Sequence, residues 1–146
     1  MYNTEIYEAL KNIRDFGGIR SANQLLGLQR NKFYILNTDP SYMPGKHWVV
    51  VYTGETPEFF DSLGKRPEYY WKKFQHLLIN GSKRRDNGYS YNSKRLQSKN
   101  SKVCGEYCIY YVWMRSSGYK MNDIVERFNN NLKYNDRIVR DFYVNM

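Results

Sequence analysis

Four side chains suited to acyl-transfer chemistry stand in the order His47, Asp61, Gln97, Cys104. Cys104 ends a polar, turn-forming stretch, and the aromatic-rich run Glu106 to Arg115 that follows it predicts a helix. A cysteine at the first turn of a helix meets unpaired backbone N–H groups and the positive end of the dipole. Both favour thiolate over thiol, and the thiolate is the nucleophile. Its base must also return a proton to the leaving group, which suits histidine near neutral pH. His47 begins an apolar run just after the Pro44-Gly45 turn, at a strand end where sites are usually built. His76, mid-helix beside Gln75, reads as a surface residue. Asp61 lies among apolar neighbours and needs a partner, for which His47 is the natural choice. Its competing reading is a turn-forming aspartate ahead of Ser62 and Gly64. The Cys104 N–H and the Gln97 amide are candidate donors to an oxyanion, and Gly105 permits close approach to the sulfur.

These residues require a particular scaffold. An amphipathic helix is expected over 4–14, stopped by Gly17-Gly18, with a loop or short turn over 19–25. Strands are expected over 32–37 and 47–52, the second an unbroken apolar run suited to mid-sheet, with 58–64 as its hairpin partner. Pro67 should open a helix to Ile79, with Tyr70, Trp71, Phe74, Leu77 and Leu78 on its apolar side. A basic loop over 83–88 and a weaker strand over 89–97 lead to the cysteine. The helix after Cys104 is apolar nearly all round and should be buried at the centre. Helices near 121–130 and 135–144 close the chain. The expected fold is a small α+β domain, with a central cysteine-bearing helix packed on a mixed or antiparallel sheet of three to five strands.

The 146 residues fit one domain, 1–146, and include no internal repeat or low-complexity segment. No stretch approaches the roughly 20 apolar residues of a membrane span, and nothing resembles a signal peptide. The two cysteines, Cys104 and Cys108, suggest a reducing, intracellular setting rather than secretion, and Cys108 reads as a small buried apolar residue. The net charge of +9 is concentrated in residues 61–102, which hold eleven basic and three acidic side chains. Contact with a polyanion such as DNA is one reading, with Lys83, Arg84, Arg85, Lys94 and Arg95 as candidate contacts. A solvated surface is the other. A metal site from both histidines and both cysteines is disfavoured, because Cys-x-x-x-Cys within a helix makes a poor zinc knuckle and the histidines lack paired-ligand spacing.

Taken together, Gly45-Lys46-His47-Trp48, Phe60-Asp61-Ser62-Leu63-Gly64 and Gln97 to Cys108 resemble the adenovirus maturation protease (adenain) family over about residues 45–115. The resemblance implies a papain-like or adenain-like fold, with Cys104 as nucleophile, His47 as base and Gln97 as oxyanion donor. Asp61 would orient His47, where the adenovirus enzymes carry a glutamate. Trp48 would pack beside the catalytic ring and, with Gly105, line the substrate site. The same clan includes the ubiquitin-like-protein (SUMO) proteases, which typically carry an aspartate before Cys-Gly where Val103 stands here.

The implied activity is a cysteine endopeptidase that processes precursor proteins of a virus or virus-like transposon during virion maturation. It would act as a monomer in the nucleus or virus factory of an infected cell, and in the virion. Its substrates would be polypeptides with small residues near the scissile bond. The chemistry needs no cofactor, metal or membrane. DNA or a peptide are possible activators, although a disulfide-linked peptide would lack an anchoring cysteine outside the catalytic region. The alternatives are a deconjugating protease of the same clan and a non-catalytic basic DNA-binding domain.

Overall fold

The computed structural model describes residues 1–43 and 46–146, so the expected Pro44-Gly45 turn lies outside the described residues. Among those described, five strands form one sheet: β1 (Phe16–Arg20), β2 (Phe33–Asn37), β3 (Trp48–Tyr52), β4 (Glu58–Phe60) and β5 (Ser90–Tyr91). They lie in sequence order. The inner pairs β2–β3 and β3–β4 are antiparallel, and the outer pairs β1–β2 and β4–β5 are parallel. The helices are α1 (Asn3–Leu10), α2 (Pro67–Tyr70), α3 (Lys72–Gly81), α4 (Cys104–Ser116), α5 (Met121–Glu126) and α6 (Leu132–Val144). This is the small α+β fold with a central cysteine-bearing helix that the sequence predicts.

The unbroken apolar runs of β2 and β3 reflect a sheet covered on both faces. Alternate residues Phe33, Ile35, Val50 and Phe60 join a core with Tyr107, Tyr111 and Val112 of α4, and with residues of α1, α5 and α6. The intervening Tyr34, Leu36, Val49, Val51 and Phe59 pack with Phe74 and Leu78 of α3. All residues from Cys104 to Val112 are buried, which accounts for the apolar character of α4 on every side.

Several boundaries differ from the sequence reading. α1 ends at Leu10, ahead of Gly17-Gly18, which do not stop it but lie inside the edge strand β1, paired with β2. A side chain at Gly17 would strike the Tyr34 ring at 2.6 Å. The expected strand over 58–64 is only three residues long, because Asp61 starts a tight turn. The strand over 89–97 shrinks to β5. The single helix over 67–79 is two, broken at Trp71, whose backbone is extended and whose indole N–H donates to the Thr38 carbonyl at 2.6 Å.

One ionic cluster ties β4 to α4. Glu58 accepts from Arg115 Nη2 at 2.7 Å and Nε at 3.0 Å, and also from the Tyr111 hydroxyl. The next tie along is the Phe60–Tyr111 stack, with ring centroids 4.2 Å apart. β4 and α4 are thus fixed to each other immediately before Asp61 and after Cys104.

Candidate active site

Cys104 opens α4 and is 8 % exposed, with the leading N–H groups of the helix lacking intrahelical partners. The loop before it is pinned to α6: Asp136 accepts from the Ser98 hydroxyl at 2.5 Å and from the Tyr107 hydroxyl at 2.8 Å. Asn135 adds a bond to the Leu96 carbonyl at 3.1 Å. His47 stands one residue before β3. Its carbonyl accepts from the Thr38 N–H at 2.9 Å, extending the β2–β3 ladder up to the imidazole.

His47 Nε2 lies 2.5 Å from Asp61 Oδ1. Nδ1 is therefore the ring nitrogen left for Cys104. Burial alone would lower the pKa of His47. The Asp61 hydrogen bond, the Cys104 hydrogen bond and the charges of both outweigh it, raising the pKa to about 9. The imidazolium is the form these surroundings favour at neutral pH.

Asp61 is fully buried and saturated with donors. Oδ1 also accepts the Leu63 N–H at 3.0 Å, while Oδ2 accepts the Lys65 N–H at 3.1 Å and the Tyr70 hydroxyl at 2.6 Å. Asn92 brackets its backbone, accepting from the Asp61 N–H at 2.9 Å and donating to the Asp61 carbonyl at 2.6 Å. The turn continues to Gly64, where φ is +73° and a side chain would meet the Lys94–Arg95 backbone at 2.9 Å. The two competing readings of Asp61 therefore both hold: it forms the turn and it faces His47.

Gln97 is held as closely. Its Oε1 accepts from the buried Ser62 hydroxyl at 2.6 Å, and its Nε2 donates to the Ser101 carbonyl at 3.0 Å. Clamping the oxygen end fixes which way the amide points, so the second N–H of Nε2 remains for the cleft. Ser62→Ala should release that clamp. On the reading of Gln97 as an oxyanion donor, kcat should fall about tenfold with KM little changed, against the roughly 10²–10³-fold typical of losing such a donor outright. Labelling of Cys104 should be unaffected, and Ser62→Thr should restore most of the loss.

Cys104, His47, Gln97 and Trp48 line one open cleft of about 850 Å³. The Trp48 indole N–H donates to the Met1 carbonyl at 3.2 Å. Gly105 lies under Met1, whose sulfur would be 2.9 Å from any added Cβ. A groove of equal volume between α1, α4 and the end of α6 contains neither cysteine nor histidine. His76 is exposed on α3 and does not line the cleft, and Cys108 is buried, with its thiol pushed up by burial.

The basic candidates outside the cleft are partly engaged. Arg84 pairs with Asp86 at 2.9 Å, Lys94 donates to the Phe128 carbonyl at 3.3 Å and Arg95 to that of Gln97 at 2.8 Å. Lys83 and Arg85 are exposed. Sequence reasoning missed Ser62, Tyr70 and Asn92. Tyr70 was hidden in an apolar helical stripe, while Ser62 and Asn92 look like ordinary turn residues.

No protein-family model matches the sequence, and no curated protein is significantly similar to it. The crystal structure of the ASFV pS273R protease is similar with a TM-score of 0.56 at 16% identity, covering 92% of this chain and 65% of that one. The central domain of the uncharacterized Lpg1148 protein from Legionella pneumophila is similar with a TM-score of 0.51 at 13% identity, covering 99% of this chain and 95% of that one. This chain thus spans just under two thirds of the length of the ASFV protease. At these identities the likeness is one of fold.

Proposed function

We propose that this chain is a cysteine endopeptidase of the adenain type that processes viral, or virus-like, precursor proteins. The observation that carries the reading is the buried His47–Asp61 pair at 2.5 Å, facing Cys104 across a cleft in a fold shared with a protease. In this reading the Cys104 thiolate, paired with the His47 imidazolium, attacks the scissile carbonyl carbon. Charge passes to the carbonyl oxygen, where the Gln97 Nε2 and Cys104 N–H groups receive it. Collapse of that intermediate breaks the C–N bond, and His47 gives its proton to the departing amine. Water, deprotonated by His47, then hydrolyses the thioester and restores the thiolate–imidazolium pair. Asp61 keeps the imidazole oriented throughout, and Tyr70 keeps Asp61 in place.

Alkylation of Cys104 by iodoacetamide across pH, followed by mass spectrometry, tests this directly. Labelling should already be rapid below pH 8 and stay level until His47 loses its proton near pH 9. Peptide cleavage should decline above about 9, because the neutral imidazole has no proton for the leaving amine. His47→Ala should slow labelling at neutral pH by about tenfold or more. Equal slow labelling in parent and variant would overturn the assignment.

A further inference from the structure

The charge in the cleft is unevenly distributed. Lys46 and Lys65 approach from the histidine wall, and Lys99 and Lys102 from the cysteine loop, all four exposed. The ion pairs formed among the described residues include none of these four lysines. Among the described residues Asp39 is the one carboxylate lining this part of the cleft, and its Oδ2 is buried with no hydrogen-bond partner among them. Past Met1 and Trp48 the cleft continues into a second region of about 830 Å³. There the charges balance: Glu5, Asp39 and Glu106 face Lys102, Arg140 and the Met1 ammonium. An extended peptide crossing Cys104 would run from a lysine-rich region into one with no net excess of cationic groups.

We infer that the cleft selects polypeptides carrying acidic side chains on one side only of the scissile bond, gripped by Lys46, Lys65, Lys99 and Lys102. The inference rests on the protease reading above and adds its substrate class. Lys65 Nζ rests over the Tyr69 ring at 5.0 Å, a contact that leaves its charge unneutralised. Ammonium groups outside any ion pair attract and align anionic side chains more strongly in a cleft than on a flat surface. Their position around the reacting atoms favours a peptide over nucleic acid, which would need a continuous track of phosphate contacts.

Digestion of a random peptide library, read by mass spectrometry, tests the inference on the parent and on a Lys65→Glu/Lys99→Glu variant. The expected result is Asp and Glu enrichment on one side of the cut, weakening as salt rises and turning towards Lys and Arg in the variant. Enrichment on both sides, on neither, or unchanged in the variant would overturn it. If the parent cuts nothing, the protease reading fails, and binding of fluorescent peptides to Cys104→Ala decides the selectivity alone. A short Glu-rich peptide should then bind about fivefold or more tighter than its Gln counterpart at low salt, a preference lost in the charge-reversed variant. Equal binding would overturn the inference, as would a DNA duplex that displaces the Glu-rich peptide and depends more strongly on the same lysines.

Discussion

Asp61→Asn should reduce kcat/KM by about 10²–10⁴-fold while leaving Cys104 in place. Every polar contact that the carboxylate makes comes from a donor or from a ring nitrogen that donates when His47 is charged: the Leu63 and Lys65 amides, the Tyr70 hydroxyl and His47 Nε2. An asparagine has one acceptor oxygen and must point its NH2 at one half of that set. If the NH2 faces His47, the imidazolium loses its charge partner and the wrong tautomer of the neutral ring is favoured. If it faces Tyr70 and Lys65, two donors confront a third. The pKa of His47 should fall from about 9, and cleavage should lose its upper pH range with it. Tyr70→Phe removes a single donor and should cost about tenfold at most, so measuring both separates loss of the charge from loss of its support. An Asp61→Asn protein with full activity would remove Asp61 from the mechanism.

The second large effect concerns stability. Glu58→Ala should destabilise the fold by about 3–5 kcal/mol, because it strands Arg115 and the buried Tyr111 hydroxyl. Arg115 is half-buried at the ends of β2 and β3, over the Phe33 and Tyr52 rings at 5.5 and 5.8 Å, and cannot simply rotate into water without exposing that surface. The Glu58 interaction is the first cause of its raised pKa. Urea denaturation should show the loss, and Glu58→Ala/Arg115→Ala should be more stable than the sum of the two single changes predicts. Strict additivity would mean that the pair contributes nothing as a pair. Since β4 runs from Glu58 into Asp61 and α4 starts at Cys104, the variant that does fold should also show weakened His47–Cys104 coupling in the labelling profile.

The parts legible in the sequence were those where chemistry and local structure demand the same residue type. Cys104 needed a helix start, His47 a strand end, and Asp61 both a turn and a partner, so each could be singled out from its neighbours. Strands β2 and β3 and helix α4 were equally plain, because burial on every side leaves an unbroken apolar run. What stayed hidden was set by long-range contact. The break at Trp71 depends on a carbonyl more than thirty residues away in sequence, at Thr38, and without that break Tyr70 reads as one more apolar helix residue. β1 and β5 are edge strands defined by what they pair with, and their own sequences carry glycine or little apolar character. Asn92 acts on Asp61 across 31 positions, which no local pattern records.

Asp61 and Ser62 are neighbours in the chain, yet one holds the histidine and the other the glutamine. The two halves of the site therefore share a single pivot. Both side chains leave the chain at the start of one tight turn, so inserting or deleting a residue there would misdirect both at once. Drift in the histidine and drift in the glutamine are coupled faults, and a compensating change in one disturbs the other. A single change of length in this turn therefore reaches both His47 and Gln97.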